Sequence, residues 1–79
     1  MGPMPTAKMP ALRPERIVRA LVACGLIVKR QRGSHTVLSK PGLRRPVIVA
    51  MHGRELPPGT VADIIGQAEV SPEEFLKHV

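Results

Sequence analysis

Apolar positions over residues 14–25 recur at helical spacing. Ile17, Leu21 and Cys24 share one face, with Val18 and Val22 beside them. Pro14 suits a first helical position, Glu15 puts an anion where the helix dipole favours one, and Gly25 is a natural C-cap. Arg13 is a poor N-cap, so the pattern does not fix the exact start. The period then changes. Leu26–Gln31 is β-branched and then polar, which reads as a strand. Arg32-Gly33-Ser34 reads as a tight turn, with Gly33 able to take a positive φ, and His35–Ser39 as the returning strand. Lys40-Pro41-Gly42 marks another turn. Pro46–Met51 reads as a third strand with proline at its first position, where the ladder tolerates it. These strands are most simply an antiparallel meander.

After a loop over His52–Gly59, Thr60 is the expected cap of a second helix. Its Val61, Ile64, Ile65 and Ala68 fall at i, i+3, i+4 and i+7, and Gly66 weakens it. Ser71-Pro72-Glu73-Glu74 reads as a capping box with proline at N1, opening a short last helix that carries Phe75, Leu76 and Val79. The order α-β-β-β-α plus a short C-terminal helix predicts an α+β fold. Its three-stranded antiparallel sheet has helices packed on one face. Residues 1–13, interrupted by Pro3, Pro5 and Pro10, read as a flexible lead-in, and residues 14–79 as a single domain. Met4 and Met9 offer alternative starts, so residues 1–8 are either native or a vector remnant.

Composition narrows the function classes. Seventy-nine residues allow one small core and exclude a deep interdomain cleft. With no Trp or Tyr and one Phe, aliphatic side chains must build that core. The chain carries +6, unevenly: residues 1–45 hold a net +9, with Glu15 the sole acid, and residues 46–79 a net −3. A basic half on a small domain is the electrostatic footprint of a polyanion binder. The lone Cys24 excludes an intramolecular disulfide and fits a reduced, cytoplasmic setting. No apolar run reaches the ~18 residues of a membrane span. Met1-Gly2 with Thr6 has the letters of a myristoylation signal, and Pro3 beside the acceptor glycine marks it as chance.

Most chemistry-bearing patterns are missing. His35, His52, His78 and Cys24 are dispersed, without short-range pairing, so the spacing predicts no metal site. Neither phosphate-binding glycine motif occurs, and no cofactor is expected. Cys24 lies on the apolar helix face, which predicts an inert core thiol. Glu73 and Glu74 are explained by the helix cap. Lys29-Arg30-Gln31-Arg32-Gly33-Ser34-His35 is different, because a hairpin there brings the histidine close to three cations. Cations bind phosphate, and imidazole exchanges protons near pH ~6.5. Together they suit phosphodiester cleavage by an internal 2′-hydroxyl, which needs no metal. Ser34 is placed to orient a group or bond a phosphate oxygen, and Gly33 to shape the turn. Arg44 and Arg45 extend the basic surface or simply line a solvated turn. His52 is a second proton-transfer group or an ordinary loop residue. The competing structural reading is a basic hairpin whose histidine only packs.

Cys24-Gly25-Leu26, Arg30-Gln31-Arg32-Gly33-Ser34-His35 and Leu56-Pro57-Pro58-Gly59-Thr60, followed by Val61, Ile64 and Ile65, occur in this order. Together they resemble the HicA toxin family of HicA–HicB toxin–antitoxin modules over about residues 14–79. The middle segment is similar to the family's R-x-x-G-S-H signature, and the last to its E-L-x-x-G-T-x-x-x-I-L segment. The resemblance implies a fold like the double-stranded RNA-binding domain and endoribonucleolytic cleavage of mRNA with His35 as the catalytic residue. It also implies a HicB-like antitoxin partner that covers the site. Leu26 departs from the family's preferred aromatic. Thr36 stands where many members have a second histidine, which argues against a mechanism requiring both. Two other readings stand beside this one: a non-catalytic RNA-binding module of the same fold, and an interaction protein whose basic face docks an acidic partner.

Overall fold

The computed structural model describes residues 8–79, and its element order is the expected one. Helix α1 (Pro14–Ala23) leads into β1 (Ile27–Arg32), β2 (His35–Ser39) and β3 (Val47–Ala50), followed by helices α2 (Pro58–Ala68) and α3 (Pro72–Leu76). The strands form one sheet in the order β1-β2-β3, antiparallel throughout, so the meander and the α+β architecture stand.

Helix α1 begins at Pro14 without a side-chain cap. Arg13 donates instead to the Gly53 carbonyl at 3.1 Å, tying the helix start to the loop after β3. The helix ends in a Schellman arrangement. Gly25, at φ +105°, donates to Val22 O, and the Leu26 N–H reaches back to Leu21 O, each at 3.0 Å. Leu21 and Leu26 are both buried, so the cap also delivers the chain into the core before β1 starts. Thr60 does not cap α2: the helix starts at Pro58, whose fixed φ already suits a first turn, and Thr60 lies inside that turn. Only half of the expected capping box forms on α3. Ser71 Oγ accepts from the Glu74 N–H at 3.1 Å, while the Glu74 carboxylate turns to His78 and Lys77.

The helices cover one face of the sheet. Thr36 and Leu38 of β2, with Val47 and Val49 of β3, are buried beneath them. They join Ile17, Ala20 and Leu21 of α1, Val61, Ile64, Ile65 and Ala68 of α2, and Phe75 of α3 in a single core. Phe75, the only aromatic residue, is fully buried. Burying such a side chain contributes about 1.5–3 kcal/mol, a large share for a domain this small. The lead-in expected over residues 1–13 divides: residues 1–7 lie outside the described residues, whereas Leu12 is buried and forms an antiparallel bridge with Leu56. Among the described residues, none covers strand β1. All six of its residues are exposed, because the helical layer lies over β2 and β3.

Candidate active site

The β1–β2 hairpin closes through Gly33-Ser34. Gly33 has φ +54° and Ser34 does not share the positive φ, which fits a type II′ turn with glycine at its first central position. Such turns match the natural twist of paired strands, so they fix register. Arg32 stands directly opposite His35, and His35 opposite Ala50. Directly opposed residues point to the same face. Because Thr36, Leu38, Val47 and Val49 point into the core, the alternate positions make up the uncovered face. That face carries Arg32, His35 and Ala50 in one row, then Arg30, Val37 and Ile48, then Ile27 and Ser39.

A bulge between Val28 and Arg30 contributes to this order. Lys29 is its unpaired residue, so Val28, not Lys29, lies opposite Leu38 on the helix-facing side. The ammonium group therefore escapes the buried row. Lys29 and Arg30, with Val37, Ser39 and Pro46, line an open groove of about 450 Å³. No strand contains an acidic residue. Among the described residues, neither His35 nor Lys29, Arg30 or Arg32 engages in a side-chain hydrogen bond or ion pair. The result is a bare cationic sheet face with an accessible imidazole at its turn end.

The remaining predicted residues fall in two places. Met51 donates its N–H to the Ser34 carbonyl, which carries the β2–β3 ladder beyond Ala50 and sets His52 at the same end of the sheet as His35. The Arg13–Gly53 hydrogen bond braces that loop. Arg44 and Arg45 lie at the opposite end, four residues of strand away, or about 13 Å at ~3.3 Å per residue. They line a separate cleft of about 420 Å³ with Gly66, Gln67 and Glu69, so an acid stands among them. The structure thus groups Lys29, Arg30, Arg32, Ser34 and His35, places His52 beside them, and does not bring Arg44 and Arg45 into that group. Thr36 is buried on the helix side, facing away from His35.

Cys24 is only half-buried, a correction to the expected core thiol: it sits in the exposed C-cap, one position past the last helical turn. Burial, reinforced by the Glu74 carboxylate and opposed by Lys40, pushes its thiol above the ordinary range. Cys24, Glu74 and His78 bring their ligating atoms within 4.8 Å of one another. Spacing along the chain did not reveal this cluster. Only the i,i+4 relation of Glu74 and His78 was visible there, and nothing local says that the end of α1 meets α3.

The order α-β-β-β-α with a helix-backed three-stranded antiparallel sheet places the chain in the double-stranded-RNA-binding-domain-like class of α+β domain. Within that class, the sequence model described as "HicA toxin of bacterial toxin-antitoxin" matches residues 14–70, and the chain belongs to the HicA toxin family. Its setting is therefore a toxin–antitoxin module, with an antitoxin as partner. No curated protein matches the chain. Among the described residues, no helix is long and apolar enough to cross a membrane.

Proposed function

We propose that this toxin is a cytoplasmic endoribonuclease that cleaves mRNA without a metal ion. Residues 14–79 act as one HicA-like domain, and a HicB-like antitoxin silences it by covering the sheet face. The observation that carries the reading is the direct cross-strand pairing of Arg32 with His35 on a face that bears cations and no acid. Cleavage requires four changes. A base removes the 2′-hydroxyl proton, O2′ forms a bond to phosphorus, the bond from phosphorus to O5′ breaks, and an acid protonates O5′. His35 carries one of the two proton transfers, and the other falls to His52, a cation or water. Arg32, Arg30 and Lys29 hold the phosphate and stabilise the charge that builds on its oxygens. Gly33 sets the turn, and Ser34 offers its hydroxyl to a phosphate oxygen. Arg44 and Arg45 bind the strand farther along.

The test is cleavage of a long unstructured transcript in EDTA by wild type and His35→Ala. The substitution is expected to lower the rate by about 10²–10⁴-fold, the usual contribution of a positioned acid or base. The fold should survive it, since His35 is exposed. Equal cleavage by both proteins overturns the assignment of His35.

A second reading has one observation in its favour. The His35 imidazole has no orienting hydrogen bond among the described residues, whereas catalytic imidazoles usually have one. On that reading the same face binds RNA and does not cut it. Retained gel shifts without scission by the wild type would support it.

A further inference from the structure

We infer that Cys24, Glu74 and His78 form a zinc site that fastens α3 to the end of α1, with three protein ligands and a fourth position open to water. The three residues come from two separate elements. Cys24 caps α1, while Glu74 lies in α3 and His78 just beyond it. Thiolate, imidazole and carboxylate are the three ligand types that zinc takes from proteins. Their ligating atoms already lie within 4.8 Å of one another. His78 Nε2 and Glu74 Oε2 stand 3.3 Å apart. Ligand atoms ~2.0–2.1 Å from a tetrahedral ion are separated by ~3.3–3.4 Å, so this edge of the site is preformed. The thiolate would stand ~2.3 Å from zinc, and its sulfur already lies within 4.8 Å of both other ligand atoms.

An ordinary helical Glu–His pair accounts for two of these side chains. It does not account for the sulfur that reaches the same point from another helix. Lys77 and Lys40 stand nearby and oppose a dication, so the negative charge of the carboxylate and the thiolate must outweigh them. Lys77 contacts the other carboxylate oxygen, Oε1, at 3.6 Å and leaves Oε2 to the site. Glu74 stands close enough to Cys24 to bear on its thiol, and binding releases the thiol proton to solvent as the Zn–S bond forms. The likeness is to an exchangeable site with an open position, not to a closed four-ligand one.

The site is remote from the proposed chemistry. Cys24 precedes Ile27, which pairs with Ser39 at the end of the hairpin away from Arg32 and His35. Over five residues of strand the separation is about 17 Å. The ion would therefore stabilise the domain and hold its short last helix, and it would take no part in RNA cleavage.

The test is titration of the metal-stripped full chain with Co²⁺, followed by Zn²⁺. One cobalt ion per chain should bind, with a thiolate-to-cobalt charge-transfer band and the visible bands of tetrahedral cobalt. One equivalent of zinc should abolish both. Cys24→Ala should remove the charge-transfer band. His78→Ala and Glu74→Gln, both at accessible positions, should each weaken binding by about tenfold or more while circular dichroism stays unchanged. In the wild type, each tenfold excess of free zinc over Kd should raise the melting midpoint by about 5–10 °C. Any of three results overturns the inference. These are no thiolate band at one equivalent, a band indifferent to His78→Ala with half a metal per chain (a bridge between two thiols), or an equal zinc-induced stabilisation of Cys24→Ala. RNA cleavage in EDTA is read independently of all three.

Discussion

Gly33 has φ +54°, and a Cβ built there meets nothing within 4 Å. A substitution is therefore strained by backbone conformation alone, without any steric contact. Gly33→Ala should destabilise the fold by about 1 kcal/mol, read as a lower urea midpoint at unchanged slope. Gly33→Asn should cost less, since asparagine is better accepted at turn positions of positive φ. Both effects were legible at the sequence level, because a glycine between two strand-like runs has few other uses. The role of Arg30 was less so. Its presence in the basic hairpin is plain from the chain, but its alignment with Val37 on the open face depends on the bulge at Lys29. A one-residue slip exchanges the two faces of a strand, and no local feature of Val28-Lys29-Arg30 announces where the extra residue falls. His35 is the opposite case. The turn chemistry of Gly33-Ser34 fixes its opposition to Arg32; the sequence placed the histidine near the hairpin cations, but it read Arg32 as part of the turn and not as the paired end of β1.

At the scale of elements, the contrast between the ends of α1 and α2 is instructive. Helix α1 closes on Gly25, the residue suited to a positive φ, whereas α2 closes on Glu69 at φ +58°. The same return hydrogen bonding is present at both ends: the Val70 N–H reaches Ile65 O at 3.2 Å, as that of Leu26 reaches Leu21 O. Glutamate in the left-handed region costs about 1–2 kcal/mol, while glycine adds about 0.5–1 kcal/mol of unfolded-state entropy. Glu69→Gly should thus stabilise the domain by about 0.5–1 kcal/mol and raise the melting midpoint by about 4 °C in a thermal scan. Helix boundaries followed from the chain where proline or glycine set them, at Pro14, Gly25 and Pro72. They did not where proline overrode a polar cap, as Pro58 overrides Thr60. The overhang of β1 was not legible either. Its β-branched and then polar run reads as a strand, but a strand pattern cannot say whether a helix lies over it.

For the whole molecule, the charge asymmetry becomes a spatial one. Asp63 lies in α2 and Glu73 and Glu74 in α3, on a helical layer where Glu15, Arg16 and Arg19 of α1 leave acids in excess, whereas the bare sheet face carries Arg30, Arg32 and His35 and no acid. RNA binding should accordingly be driven by counterion release. With Lys29, Arg30, Arg32, Arg44 and Arg45 engaged, log K should fall with log salt at a slope of about −3.5. Arg32→Ala should reduce the slope by about 0.7, measured by fluorescence anisotropy with a single-stranded probe. A slope near zero would exclude phosphate contacts as the source of affinity. The sequence by itself determined the element order, the antiparallel meander, the aliphatic core face of α2, and the basic hairpin with its histidine. All of these depend on periodicity, turn residues and near neighbours along the chain. On α1 it placed Ile17 and Leu21 in the core but missed Ala20 and wrongly included Val22, which is exposed. The tertiary structure alone decided which sheet face stays bare and that Arg44 and Arg45 stand apart from His35. It also decided that Leu12 packs against the core and that Cys24 meets Glu74 and His78. Each of these depends on how helices far apart in the chain settle on one side of the sheet, a matter of long-range packing that no local pattern encodes.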